Sequence, residues 1–389
     1  MRKVYLDNGS TSFPKAPGTG DTIKKYIEET GMNINRGGYQ AAYDVADTVL
    51  ETRTLLKSLF RMGTSRKELD EKNVVFVPSV TYGLNFIING AIGSGDHLII
   101  SSMEHNAVAR PAEKLSARGA SVTAVTCDKE GRLDIAALES GIRRETKLAV
   151  INLASNVSGT LQNAGEICRI CREKGVPVVL DAAQAAGAVD IDFDGLGLAG
   201  LCVPGHKGLM GPQGIGAMLI TNELAELMDP VIYGGTGSVS DSLEMPDFLP
   251  DKFEPGTLNL PGIIGLDHAL KYVMGETPAK IYAHEMKLTK MFLEAVSAIP
   301  GVRVIGPQST EGRVGVASLS FENTDNADAA FELENSYGIM TRCGLHCAPL
   351  AHKTLGTFPY GTVRFAFGYF NTEEEAEYAA ECVRKTAVR

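Results

Sequence analysis

No stretch of this chain approaches the roughly 18 consecutive apolar residues that a membrane-spanning helix needs, and its opening, MRKVYLDNGS, lacks the apolar core of a secretory leader. A soluble, cytoplasmic protein with no membrane partner is the expectation. Basic residues are also in short supply: 37 Lys and Arg stand against 47 Asp and Glu, for a formal net charge of -10. Proteins that grip a phosphate backbone carry a basic face. None is visible here, so no nucleic-acid partner is expected. The seven cysteines (Cys127, Cys168, Cys171, Cys202, Cys343, Cys347 and Cys382) are odd in number and scattered. That argues against a disulfide framework and leaves buried or reactive thiols. Internal repeats and low-complexity tracts are absent as well.

What is present suits a large globular core: 44% hydrophobic and 22% charged residues over 389 positions. A single core of that length is unusual, so two domains, or a large one with a smaller satellite, are expected. Short β-rich runs at 74–77, 98–101, 121–126, 148–153, 176–180, 201–203 and 217–220 alternate with helical patterns such as 108–118 and 166–174. The alternation predicts an α/β fold, a mainly parallel sheet covered by helices. Ligands of such sheets bind beyond the carboxyl ends of the strands, so the residues just after each run are the candidates. A Gly-, Ser-, Pro- and Asp-rich stretch at 233–261 reads as a long loop serving the site. Beyond it, helices at 263–273 and 279–298, a β-like run at 314–322, a helix at 327–337, a strand at 362–366 and a last helix from 372 predict a second, α+β domain.

The run at 176–180 delivers Asp181 to the ligand edge. The apolar LAGLCV then leads into PGHKGLMGPQG, where Lys207 stands between residues that let a ligand approach the backbone. Taken singly, Asp181 could cap the next helix and Lys207 could be solvated. Together they fit pyridoxal 5'-phosphate (PLP), whose aldehyde forms a Schiff base with a lysine and whose pyridine nitrogen a carboxylate keeps protonated.

An ordered set of motifs spans the chain: YLDNGSTSFPK (5–15), NRGGY (35–39), VTYGLN (80–85), SMEHNA (102–107), ASNVSGT (154–160), DAAQA (181–185), GHKGLMGPQG (205–214), EPGTLN (254–259), RCGLHCAP (342–349) and VRFAFGYFNTEEE (363–375). In this set the chain resembles the cysteine desulfurase and selenocysteine lyase group of class V aminotransferase-fold enzymes. The resemblance implies the type I fold of PLP-dependent transferases. A large PLP-binding domain would cover 15–261, and a small α+β domain built from 1–14 and 262–389 would carry a catalytic cysteine loop. It further implies a homodimer in which two subunits build each site, no metal, L-cysteine or L-selenocysteine as substrate, and a sulfur-acceptor protein.

Residue by residue, the resemblance makes Lys207 the PLP anchor and the base for the substrate proton, with Asp181 at the pyridine nitrogen. Thr81, at a helix start where N–H groups are free, would hold the phosphate together with His206, and Thr257 would reach the phosphate of the neighbouring subunit. His105 would stack on the pyridine ring near the reacting carbon. Asn156 would donate to the phenolic oxygen or position substrate, and Gln184 would face the same oxygen. The Arg364 guanidinium matches a substrate α-carboxylate; an internal salt bridge is the alternative for a charge in so apolar a strand. Cys347 would take the sulfur. Cys168 and Cys171 fall on a helical pattern without a second ligand pair for zinc, and Cys343 is the one further thiol that could oxidise against Cys347.

The 17 positions from Cys347 to Arg364 resemble the short-loop branch of the desulfurases, which implies a dedicated acceptor docking at the site. Two places depart from the pattern. Pro204 stands where relatives often have a phosphate-binding serine, and Asn8-Gly9 where they often have Asn-Ala. The alternatives on this fold are a selenocysteine lyase and a class V aminotransferase; beyond it lies a PLP-binding protein without turnover.

Overall fold

The structure is a computed structural model that describes residues 2–34 and 37–388; Met1, Asn35, Arg36 and Arg389 lie outside, and with them the first two residues of the NRGGY motif. After the short β1 (Val4–Tyr5), the chain builds a seven-stranded sheet from β2 (Val74–Val77), β3 (His97–Ser101), β4 (Ser121–Val125), β5 (Thr146–Asn152), β6 (Val178–Asp181), β7 (Gly200–Pro204) and β8 (Gly216–Ile220). Their order is β2-β8-β7-β6-β5-β3-β4, and only β8 runs antiparallel to its neighbours. Helices cover both faces, so β2, β3, β6, β7 and β8 are buried throughout. That is why these strands read as continuous apolar runs rather than as alternating ones. The α/β expectation holds, and each expected run became a strand.

Register then sets the site. Asn152 lies beside Asp181 and Asp181 beside Cys202, so β5, β6 and β7 end level with one another. The segments carrying His105, Asn156, Asp181 and Lys207 therefore all leave the sheet along one edge.

Helix Gln40–Leu59 was not expected from the sequence. Its buried Ala42, Val45, Val49, Thr52, Arg53 and Leu56 form a stripe at three- and four-residue spacing. The stripe packs against helix Leu260–Glu276, whose Ile263, Leu266 and Leu270 join the core of the large sheet while Ala269 and Val273 pack with Ile281 of the next helix. Arg53 pairs with buried Glu254 at 2.7 Å and lies over the Phe76 ring. Glu254 also accepts from the Phe76 N–H at 2.6 Å, which pins the 254–259 loop to the sheet.

The rest of the chain adds β9 (Val302–Ile305), β10 (Val316–Phe321), β11 (Ile339–Met340), β12 (Arg342–Gly344) and β13 (Thr362–Ala366). Strands β12-β13-β10-β9 form an antiparallel sheet, and β1 pairs in parallel with β11. Helices Pro278–Val296, Asn326–Tyr337 and Glu373–Ala387 pack on it around Leu6, Phe292, Leu333, Phe365 and Val383. The start of the chain is thus folded into its C-terminal part, and residues 7–15 cross from there to the edge of the large sheet. Among the described residues no helix is long and apolar enough to cross a membrane.

Candidate active site

A cavity of about 90 Å³ opens at that edge, and its walls include Thr81, His105, Asn156, Asp181, Gln184, His206 and Lys207. Lys207 follows β7 in a loop that passes tightly over 186–187; a Cβ at Gly208 would collide with the Ala186 carbonyl. Among the described residues its Nζ has no hydrogen-bond or ion-pair partner. Burial lowers its pKa from 10.5 to about 8, against the pull of Asp181. The amine is therefore partly uncharged near neutrality, as a nucleophile toward an aldehyde must be.

Asp181 is buried at the end of β6 and accepts from the Ala183 N–H at 2.9 Å. Burial raises its pKa, while that N–H and Lys207 oppose the rise. A cationic N–H is the partner such a carboxylate needs. His105 caps helix Asn106–Ser116, its Nδ1 accepting from the Ala107 N–H at 3.0 Å, which leaves its proton on Nε2. Burial first, then the cations Lys207, Arg364 and Arg110, lower its pKa to about 4. It is a helix cap and a cavity wall at once.

Thr81 lies in the first turn of helix Val80–Ala91, whose N-cap, Ser79, makes no side-chain capping bond. Ser79 also lines the cavity, as does Pro204 at the end of β7. The hydroxyl missing at 204 thus has a neighbour at 79, a residue not singled out from the sequence although it immediately precedes VTYGLN. The N-terminal segment closes the opposite side. The His206 carbonyl accepts from Thr11 Oγ1 at 3.0 Å, Ser12 N–H at 3.0 Å and Lys15 Nζ at 2.8 Å, and Gln184 Nε2 donates to the Gly9 carbonyl at 2.8 Å.

PLP fits this cavity. His206 Nδ1, Asn152 Oδ1 and Asn156 Oδ1 are buried without partners, and orphaned buried polar atoms are rare in a finished structure. Beside them stand an unpartnered amine for the aldehyde, a buried carboxylate for the ring nitrogen, and a helix N-terminus for the phosphate.

Arg364, Cys347 and Thr257 stand outside this wall. Arg364, 2% exposed in β13, takes the form named as its alternative: Nη2 pairs with Asp7 at 2.8 Å. Asp7 was not anticipated; 357 positions separate the two residues. Cys347 is exposed on a turn where His346 and Cys347 both have left-handed backbones, φ 48° and 57°, a conformation that costs about 1–2 kcal/mol per residue. The turn is tied to the site. Asn106 N–H donates to the Cys347 carbonyl at 2.7 Å, and Asn156 Nδ2 donates to the His346 carbonyl at 2.7 Å.

Cys343 pairs with Val363 across β12 and β13, whereas Arg342 pairs with Arg364. Successive strand residues face opposite sides, so Cys343 lies on the face away from Arg364. Its thiol is raised by burial and by Asp325. Cys168 and Cys171 are buried on helix Ala164–Glu173, where burial pushes their thiols up to about 12 and about 11. Among the described residues no group of three or more His, Cys, Asp or Glu could hold a metal ion. Thr257 is exposed on a separate groove with Phe76, Tyr82, Phe86 and Ile232.

A lysine and a buried aspartate at the edge of this mainly parallel sheet, with a smaller α+β sheet beside it, define a PLP-dependent enzyme of fold type I. The chain belongs to the aminotransferase class-V family, whose profile matches residues 4–378. It is 32% identical over 391 residues to a probable cysteine desulfurase of Methanothermobacter thermautotrophicus, covering 99% of this chain and 94% of that one. A solved apo cysteine desulfurase from Thermococcus onnurineus superposes with a TM-score of 0.91 at 28% identity, covering 99% of this chain and 95% of the other. A cysteine desulfurase of Escherichia coli in an S-sulfonic acid form shares the fold, with a TM-score of 0.86 at 24% identity, over 99% of this chain and 94% of that one.

Proposed function

We propose that the protein is a PLP-dependent cysteine desulfurase, converting L-cysteine to L-alanine and leaving the sulfur as a persulfide on Cys347. The observation that carries this is Cys347 itself: an exposed thiol on a left-handed turn bonded to the residue next to His105. Transamination needs no thiol there. Ser79, Thr81 and His206 would hold the phosphate, Asp181 the ring nitrogen, and His105 the ring face. When bound, PLP supplies an electron sink for the bonds at the substrate α-carbon.

Arg364 anchors the substrate α-carboxylate, and Lys207 Nζ takes the α-proton. The Cys347 thiolate attacks the substrate sulfur, so that an S–S bond forms as the C–S bond breaks, and one proton added at the β-carbon and one returned to the α-carbon complete alanine. His105, neutral above about pH 4, donates from Nε2. The loop around Cys347 is further fastened where Thr354 Oγ1 donates to the Ser102 carbonyl at 3.0 Å. So short a tether supports a dedicated acceptor that comes to the persulfide.

Two copies make the working unit in this proposal. Thr257 does not line its own Lys207 cavity, and the groove beside it exposes Tyr82 and Ile232, apolar surface that a second copy would cover. The division into 15–261 and 1–14 with 262–389 is kept as part of the proposal, with helix Leu260–Glu276, which packs on the core of the large sheet and against Ile281, running across the boundary. A cytoplasmic site of action is supported by the cysteines, all seven of which are free. The test is to give PLP-loaded protein L-cysteine and assay alanine and persulfide together. Equal early yields are expected; a keto-acid product without persulfide would identify an aminotransferase, and turnover of L-selenocysteine alone a selenocysteine lyase.

A further inference from the structure

The place for a substrate carboxylate on Arg364 is already filled from within. Nη1 donates to the Asn156 carbonyl at 3.1 Å, and Nη2 donates to Asp7 Oδ1 at 2.8 Å and to Ser10 Oγ at 2.7 Å. Nε is buried without a partner. A guanidinium grips a carboxylate with two parallel bonds along one edge, either Nε with Nη2 or Nη1 with Nη2. Both edges contain Nη2, and both hydrogens of Nη2 are taken. A substrate carboxylate therefore gains a two-pronged grip only when Asp7 or Ser10 yields.

Asp7 has a second cation to turn to. Arg342, whose side chain is 51% exposed, donates to Asp7 Oδ2 from Nε at 3.2 Å, and its Nη2 lies 3.1 Å from the same oxygen as an ion pair. Arg342 and Arg364 sit opposite each other across β12 and β13, so one carboxylate serves two guanidinium groups on one face of the sheet. The pair lacks one negative charge, which is what a substrate carboxylate brings. Ser10 Oγ donates to Asp7 Oδ1 at 2.7 Å and is thus tied to the same carboxylate.

We propose that Asp7 is an exchangeable counter-ion, neutralising Arg364 in the substrate-free enzyme and passing to Arg342 when a substrate carboxylate docks. Asp7 then sets the affinity for the amino-acid substrate by competing for its anchor. This rests on Arg364 being that anchor. The test uses the holoenzyme and two probes, propionate, which has only the carboxylate, and cysteamine, which is cysteine without it, with dissociation constants from calorimetry and KM for L-cysteine alongside.

Asp7→Asn keeps the shape and removes the competing charge. It should tighten propionate about fivefold, the low end of an ordinary coupling between two ligands of one group, lower KM for L-cysteine in proportion, and leave cysteamine unchanged. Arg342→Ala, a surface change, removes the second cation and should weaken propionate by a similar factor. In the double variant Asp7→Asn with Arg342→Ala that weakening should vanish. If Asp7→Asn weakens propionate or leaves it unchanged while Arg364→Ala weakens it, Asp7 is a fixed brace and the exchange is wrong, although the anchor stands. If Arg364→Ala leaves propionate binding unchanged, the anchor is wrong and the exchange falls with it.

Discussion

Replacing Lys207 by methionine in the cofactor-free protein should stabilise the fold near neutral pH, because the cavity holds a cation that burial penalises. The folded-state pKa of about 8 lies below the ordinary 10.5, a difference equivalent to about 3 kcal/mol. Between those two pH values the unfolded chain binds the proton and the folded one does not, so wild-type stability rises with pH across that window. Below about 8 the folded amine is charged and bears the whole penalty; above 10.5 neither state is charged and the penalty is gone. Methionine has similar length and no charge. Guanidinium denaturation should therefore find cofactor-free Lys207→Met more stable by about 3 kcal/mol at pH 7, with the gap closing above pH 8. Equal midpoints at pH 7, or a gap independent of pH, would refute the inference that burial perturbs this amine.

Three further outcomes are expected. Glu104 is fully buried, and burial lifts its carboxyl from 4.5 to about 8; its contribution is present below 4.5 and lost as pH rises through 8. Glu104→Gln, which can still accept from the Ser101 and Asn152 N–H groups, should match wild-type stability at pH 4 and exceed it at pH 9 in denaturant titrations. Thr257→Ala should weaken PLP retention at least severalfold in equilibrium dialysis without altering the absorbance of protein that remains loaded, and a fully active monomer in sedimentation would rule out the shared site. Cys343→Ser should leave desulfuration within about twofold of wild type, since Cys343 faces away from Arg364; a large loss would place it in the chemistry.

The meeting of Asp181 and Lys207 at one cavity was legible because it is written in local pattern. Asp181 and Lys207 each follow a buried apolar strand, and parallel strands deliver such residues to one edge whatever the rest of the chain does. Helix Gln40–Leu59 was hidden because its buried stripe includes Thr52 and Arg53, which blur the apolar period, and the partner that permits a buried Arg53 is Glu254, 201 positions away. Strands β1, β11 and β12, of two, two and three residues, are too short to show alternation. The Asp7 contact with Arg364 joins the two ends of the chain, and no local signal announces it. Resemblance proposed Arg364 as the substrate anchor; only the fold placed Asp7 beside it.

The most direct test of the central claim is mass spectrometry of the PLP-loaded enzyme after a brief pulse of L-cysteine, followed by alkylation and digestion. The extra sulfur should appear on the peptide containing RCGLHCAP, with fragmentation assigning it to Cys347, and Cys347→Ser should retain PLP yet make almost no alanine because a hydroxyl stays protonated near neutrality and is a far weaker nucleophile toward sulfur. Sulfur on Cys343, or wild-type alanine production by the serine variant, would contradict Cys347 as the sulfur acceptor.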